Sequence, residues 1–399
     1  MTQTLPRPLA GVKVLDLSRV LAGPYCASLL ADLGAETVKI EIPERGDDAR
    51  AFGPFQDGES CYFMQANRGK KSVTLDLKSE EGLDLLRRMA ANSDILVENF
   101  RPGVTARLGI DYEALKHINP RLIYVSISGF GQSGPLAHRP AYDHIVQAMG
   151  GIMTVTGWPD GPPTRVGDSI GDVVAGLFGA FGALAAHIHR SATGEGQHVD
   201  VAMLDTMMAI QMVALSQIMG GIGVPARFGN AHSGSAPMDT FPASDGHVVI
   251  AVANNALFAK FADLLGVKEL PTDTRFCSDI ERVQNRADLN AIIAAWTQER
   301  CVASIVETLE NAGIPVGPIW SLEEALSSEH SQHREILRET TRPDGKPFSV
   351  MPQPVRFSKA PADGDFTAPT LGADTFDVLK QELELSDVQL ARLRERGII

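Results

Sequence analysis

Gly11-Val12-Lys13-Val14-Leu15-Asp16-Leu17-Ser18-Arg19-Val20-Leu21-Ala22-Gly23-Pro24 reads as a short apolar strand, Val12 to Leu17, running into a turn that carries glycine and proline. Ala27 to Leu33 then reads as a helix closed by Gly34, and Thr37 to Ile40 as a second strand. The same alternation continues outward. Val73 to Leu77 is a third strand, and Glu80 to Ala91 is a helix with Leu83, Leu86 and Met89 at three-residue spacing. Asp94 to Val97 and Leu122 to Ile127 are further strands. Strand, helix, strand order predicts right-handed parallel units, so the fold class is α/β with a doubly wound parallel sheet. The first turn has no GxGxxG, which speaks against a dinucleotide fingerprint there. Gly69-Lys70-Lys71-Ser72 lacks the upstream glycine of a P-loop.

The chain has 399 residues, 44% hydrophobic and 21% charged, the composition of a packed globular protein. Its net charge of −13 argues against nucleic acid as a partner, because phosphate neutralisation needs a basic surface. A small anionic ligand stays open, since a local pocket can oppose the net sign. Cys26, Cys61, Cys277 and Cys301 form no CxxC pair, which predicts a reduced, cytoplasmic chain. Ten scattered histidines form no HExxH-like cluster, so no metal is expected. Val173 to Ala186 is the most apolar run, shorter than the about 18 residues of a membrane span, and reads as a buried core helix.

Two stretches carry candidate chemistry. Gly167-Asp168-Ser169-Ile170-Gly171 matches GxSxG at a helix entrance, the context of a nucleophilic serine. Asp205 or Asp239 with His247 are conceivable partners for Ser169, but no spacing selects them, and a helix capped by Asp168 or Ser169 is the plainer reading. Asp172 follows at once. In a helix's first turn an acid is favoured by the macrodipole by about 0.3–1 kcal/mol. It also suits a carboxylate nucleophile, expected to be ionised at neutral pH without a base.

Taken together, the motifs resemble the class III CoA-transferases, the group of formyl-CoA:oxalate and succinyl-CoA:dicarboxylate transferases. The resemblance runs along the chain through Ala22-Gly23-Pro24, Leu30-Ala31-Asp32-Leu33-Gly34-Ala35, Val38-Lys39-Ile40-Glu41 and Asn67-Arg68-Gly69-Lys70. It continues through Val97-Glu98-Asn99-Phe100-Arg101-Pro102-Gly103, Gly171-Asp172, Arg227-Phe228-Gly229-Asn230 and Gly313-Ile314-Pro315-Val316-Gly317-Pro318. It implies that Asp172 attacks an acyl-CoA thioester, passing through an aspartyl anhydride and an aspartyl-CoA thioester. The acceptor acid would leave as a new CoA ester, with no metal. Matching CoA contacts are Val20, Ala22, Leu75, Lys78, Asn99, Phe100, Arg107 and Arg139. A family arginine aligns with Ile42, and Arg45 or Arg50 are candidates to replace it.

Related α-methylacyl-CoA racemases carry a histidine base where this chain has Tyr142, although His144 stands two residues on. That favours the transferase over the isomerase. The segment from Gly229 to Pro237 is less glycine-rich than the matching loop of formyl-CoA transferases, which weakens the case for oxalate as acceptor, and Arg227-Phe228-Gly229-Asn230-Ala231-His232 looks more like the dicarboxylate transferases, such as those using succinyl-CoA. The resemblance also implies an interlocked homodimer. Expected domains are a large one at 1–215 with the catalytic aspartate, a smaller α+β one at 216–330, and a return segment at 331–399. Small-molecule acyl-CoA and carboxylic acid are the expected partners, with no nucleic acid and no membrane.

Overall fold

The computed structural model describes residues 6–223, 226–342, 344–360 and 364–399. The chain divides into two compact units, one of Met1–Gly151, Val166–Gln211 and Glu329–Ile399, the other of Ile152–Arg165 and Met212–Ser328. Residues 152–165, which the sequence assigns to the first domain, belong to the second unit. The local reason is hydrogen bonding: Thr164 N–H donates to Met153 O at 3.2 Å, and Arg227 donates to Trp158 O at 3.1 Å.

The first unit is built on six parallel strands, β1 (Lys13–Asp16), β2 (Glu36–Glu41), β3 (Lys70–Thr74), β4 (Ile95–Glu98), β5 (Ile123–Ser128) and β6 (His198–Ala202). Their order in the sheet is β3-β2-β1-β4-β5-β6. β1 pairs in parallel with both β2 and β4, Leu15 lying opposite Val38 on one side and Leu96 on the other. The order therefore reverses between β1 and β4. In open α/β sheets, ligands settle in the crevice beyond the strand ends at that switch point. The turns that leave β1 and β4 there are Ser18-Arg19-Val20 and Asn99-Phe100.

Helix α1 (Ala22–Asp32) begins earlier than the sequence suggested, taking in Ala22-Gly23-Pro24 as its first turn. Gly23 is required there, because a Cβ at that position would lie 2.2 Å from Ser18 Cβ. Helix α2 (Glu80–Ala91) buries Leu83, Leu85, Leu86 and Met89 against the sheet, and its N-cap Ser79 accepts Gly82 N–H at 3.0 Å. Strand β3 starts three residues before the predicted Val73.

The long apolar segment is helix α5 in order, after the short α3 (Val104–Leu108) and α4 (Asp143–Met149); it runs Ile170–Thr193. The sequence cast it as a buried core helix. At 100° per residue its small residues fall on one side, and Gly171, Ala175, Gly176, Gly179, Ala180, Ala183 and Ala186 are buried. A Cβ on Gly176 would stand 2.6 Å from Ala22 O, so the glycine sets how closely α1 and α5 approach. The other side carries Leu177, Phe181 and Ile188 at 54%, 66% and 72% exposure. The predicted second long helix is two, α6 (Met203–Ala209) and α7 (Met212–Met219). Between them the Gln211 amide turns back to donate to Met207 O at 2.8 Å and Gly150 O at 2.6 Å.

The second unit holds an antiparallel sheet of β7 (Met238–Pro242), β8 (His247–Ala251) and β9 (Val316–Pro318), with β8 central. Helices α8 (Asn255–Leu265), α9 (Arg286–Thr297) and α10 (Val302–Asn311) contribute Phe258, Phe261, Leu289, Ile293, Ile305 and Leu309 to its core. In the first unit, α11 (Thr375–Leu383) and α12 (Asp387–Glu395) add Leu379, Leu383 and Leu390 to the sheet's core. A capping box of Ser386 and Gln389 opens α12.

Candidate active site

Beyond the switch point lie two chambers. The wider, of about 650 Å³, is lined among others by Leu75, Lys78, Phe100, Arg19, Arg45 and Arg101. The narrower, of about 200 Å³, is lined by Val20, Ala22, Asn99, Phe100, Arg139, Tyr142 and Asp172, with Arg19 and Arg101 again. Arg19, Phe100 and Arg101 line both, so the chambers share a wall. Of Asp172 and the eight CoA contacts expected from the resemblance, Arg107 alone lines neither; it is exposed on α3, whose Val104 and Leu108 line the wider chamber. Among the described residues, no group of three His, Cys, Asp or Glu side chains is placed to hold a metal ion.

The shared wall is held by polar side chains, Glu98 and Asp47 buried and Asn99 half-buried. The Asn99 amide brackets Arg19, accepting its N–H at 2.8 Å and donating to its carbonyl at 2.7 Å. Glu98, buried in β4, accepts Phe100 N–H at 2.8 Å. Burial pushes its carboxyl up to about 7, against the lowering hydrogen bonds from Ser126 and Phe100. Val20 adopts φ of +69°, a left-handed conformation that a β-branched residue rarely takes. It is held there by Asp47, whose Oδ1 accepts Val20 N–H at 3.0 Å. Such strain persists only where the surroundings over-determine it, and it concentrates at functional sites.

Asp172 sits in the first turn of α5. The N-cap residue Ser169 makes no side-chain cap bond. The cap comes instead from Asp143 on α4, whose Oδ1 accepts Gly171 N–H at 2.8 Å and whose Oδ2 accepts the Gln147 amide at 2.8 Å. Gly171 allows this approach, since a Cβ there would meet Asp143 Oδ1 at 3.0 Å. Burial first, and the Asp143 carboxylate second, push the Asp172 carboxyl up to about 7. The expectation of a fully ionised nucleophile is therefore corrected: burial and a like charge outweigh the helix dipole. The result is a basic carboxylate near its midpoint at neutral pH.

Asp143, Arg19 and Arg101 were not singled out as site residues from sequence, and neither was Tyr62. Burial, then the charges of Asp172, Asp47, Asp168 and Asp143, push the Tyr62 phenol up to about 12, so it stays a neutral hydroxyl. No spacing rule in the sequence marks any of these. Ser169 makes no hydrogen bond to a histidine among the described residues; its N–H donates to Asp168 Oδ1 at 2.7 Å. Tyr142, and not His144, lines the chamber of Asp172. Of the two candidates for the position of Ile42, Arg50 is committed elsewhere, with Nε and a terminal nitrogen each 2.7 Å from Glu41. Arg45 lines the wider chamber beside Ile42.

Known proteins share this architecture. Residues 9–375 match the family described as CoA-transferase family III. The acetyl-CoA:oxalate CoA-transferase of Acetobacter aceti is 46% identical over 342 residues, 84% of this chain and 88% of that protein. The succinate–glutarate CoA-transferase of Agrobacterium fabrum is 37% identical over 381 residues, 94% of this chain and 95% of that protein. A CAIB/BAIF family protein from Brucella suis, known by crystal structure, superposes with a TM-score of 0.84 at 39% identity, covering 95% of this chain and 100% of its own. With the family match spanning 9–375 and relatives aligned along most of their length, the chain belongs to CoA-transferase family III and is a CoA-transferase.

Proposed function

We propose that the protein moves CoA from an acyl-CoA to a small dicarboxylate, with Asp172 as the covalent nucleophile. The observation that carries this reading is a basic, half-buried carboxylate in a small chamber whose wall is shared with a larger, cation-lined one. CoA would lie with its phosphates in the wider chamber near Lys78, Arg45 and Arg101, where charge-assisted hydrogen bonds to phosphate are strong. Arg107 stands close by on α3. Leu75 and Phe100 supply apolar surface, and the Val20–Ala22 turn and Asn99 flank the passage toward Asp172.

The chemistry balances without water or added cofactor. An Asp172 oxygen attacks the thioester carbonyl; the C–S bond breaks and CoA leaves as thiolate, giving a mixed anhydride. The thiolate then attacks the aspartyl carbonyl, and the donor acid leaves as carboxylate. The acceptor carboxylate attacks the aspartyl thioester and expels thiolate again. Thiolate attack on the acceptor's acyl carbon releases the new CoA ester and regenerates Asp172. Splitting one exchange into covalent steps conserves the thioester's free energy. Water must be kept from the anhydride, which suits a small chamber.

The donor and acceptor are proposed from the relatives. Succinate with glutarate, and acetyl-CoA with oxalate, stand in their names. Incubation with succinyl-CoA or acetyl-CoA and a panel of oxalate, glutarate, malate and citramalate should yield a new CoA ester, read by mass spectrometry. Hydrolysis to free CoA alone, or deuterium entering the α-carbon in D₂O without exchange, would overturn the reading.

We also propose a homodimer. Its support is the apolar face of α5, where Leu177, Phe178, Phe181 and Ile188 are exposed along one helix. Contiguous exposed apolar surface of this kind marks interaction sites. Analytical ultracentrifugation should give twice the chain mass of 42.8 kDa, and a monomer at micromolar concentration would refute the proposal.

A further inference from the structure

The three arginines of the narrow chamber differ in what already holds them. Arg19 lies 3.3 Å from Asp48, stacks over Phe100 at 5.5 Å, and lines both chambers. Arg101 also lines both. Arg139 lines the chamber of Asp172 and is absent from the lining of the wider one, where the nucleotide end of CoA would bind. Its backbone N–H donates to Leu136 O at 2.9 Å, and its guanidinium stacks on the largely buried Phe130 at 5.8 Å. Among the described residues the guanidinium forms no ion pair and no hydrogen bond. A planar fork with five donors, exposed to solvent and without a hydrogen-bond partner among the described residues, therefore lines the same chamber as Asp172.

A diacid entering this chamber brings one carboxylate to react and a second with nowhere neutral to go. Asp172 and Asp143 already make the region unfavourable to negative charge, as the upward displacement of the Asp172 carboxyl shows. Like charges brought close together in a partly desolvated site repel strongly. A diacid is admitted only if a cation meets its far end. The chamber of about 200 Å³ holds the space of roughly seven waters, enough for a chain of a few carbons between two carboxylates.

We propose that Arg139 is a specificity-determining residue that grips the second carboxylate of the acyl group, selecting diacids over monoacids of equal length. This assigns it to the acyl end and not to the CoA phosphates offered by the resemblance. The inference rests on the CoA-transfer reading above.

The test measures binding in the Asp172→Ala protein, where no covalent step intervenes. Calorimetry would compare glutaryl-CoA, pentanoyl-CoA and free CoA. A hydrogen-bonded charge pair is worth roughly 1.5–3 kcal/mol, so glutaryl-CoA should bind about 10–100-fold tighter than pentanoyl-CoA. Adding Arg139→Gln should erase that preference and leave the affinity for free CoA unchanged, while Arg139→Lys should restore part of it. A preference that survives Arg139→Gln, or one absent from the start, overturns the assignment. So does an equal loss for all three ligands, which would place Arg139 on the CoA moiety. Failure of all three to bind the Asp172→Ala protein would instead refute the CoA-transfer reading, and this inference with it.

Discussion

Asp172→Asn should lower CoA exchange by about 10⁴-fold or more, as loss of a covalent nucleophile does elsewhere, and leave the protein folded. At 1.36 kcal/mol per tenfold, that is upward of about 5 kcal/mol of transition-state stabilisation. The variant keeps the shape of the side chain and removes its nucleophilic oxygen, so an active Asp172→Asn enzyme would refute the covalent route. Two further consequences follow from a carboxyl displaced to about 7. In the proposed route only the ionised form attacks, so kcat/KM for the donor should fall tenfold per pH unit below about 7 and level off above it. Asp143→Asn keeps an oxygen for Gly171 N–H and removes the like charge, so the midpoint should move to lower pH; a midpoint that stays fixed would exclude Asp143 as a cause. The stability effect has the opposite sense. Between the unfolded value near 3.8 and about 7 the native state holds the extra proton, so stability declines as pH rises through that window. Asp172→Asn lacks the penalty. It should melt higher than the native sequence at pH 8, with the difference fading toward pH 4.

That tension between stability and reactivity marks where the sequence stops being informative. The alternation of strands and helices was legible because buried parallel strands are nearly continuous apolar runs, as in Val12 to Leu17 and Leu122 to Ile127. Asp172 was singled out only through resemblance, since an acid in a helix's first turn has an ordinary explanation. Asp143 lies 29 residues earlier and works by capping a helix it does not belong to; nothing local in Tyr142-Asp143-His144 announces that. Arg45 and Arg50 read alike in sequence, and only tertiary contacts separate them: Glu41 takes one, and the other faces a chamber. The α5 segment was read as buried because apolar content does not say which side of a helix the core occupies. Lys39 and Lys70 stand within motifs that gave them no role of their own, and both are buried.

The second large effect belongs to those lysines. Asp16→Ala should destabilise the fold by about 3–5 kcal/mol, the cost of leaving buried charges without their partner. Asp16 Oδ2 lies 2.7 Å from Lys70 Nζ and 3.9 Å from Lys39 Nζ, with all three side chains fully buried. Lys39 Nζ is also 2.8 Å from Asp47 and donates to Ser18 O at 2.8 Å. Burial alone would lower the Lys39 ammonium, and the carboxylates of Asp16, Asp47 and Glu41 outweigh it. For Lys70 burial wins, and the ammonium is pulled down to about 8 although Asp16 opposes this. Asp16 is thus what keeps Lys70 charged at neutral pH. Without it Lys70 should lose its proton more readily, so the deficit of Asp16→Ala should shrink between pH 7 and pH 9. In the native sequence, too, the unfolded state holds more protons between about 8 and 10.5, so this group makes stability rise with pH there. Pairing Asp16→Ala with Lys70→Met removes the orphaned charge and should recover most of the loss in denaturant titration. A single variant within 1 kcal/mol of the native sequence, or no recovery in the double variant, would contradict the account. The same cluster reaches the site, because Lys39 holds Ser18 O, Asp47 holds Val20 N–H, and the turn between them walls both chambers. Donor KM should therefore rise in Asp16→Ala even at temperatures where the protein stays folded. A buried ion cluster that costs stability to assemble is retained here because it fixes a strained turn that a purely apolar core has no donors or acceptors to hold.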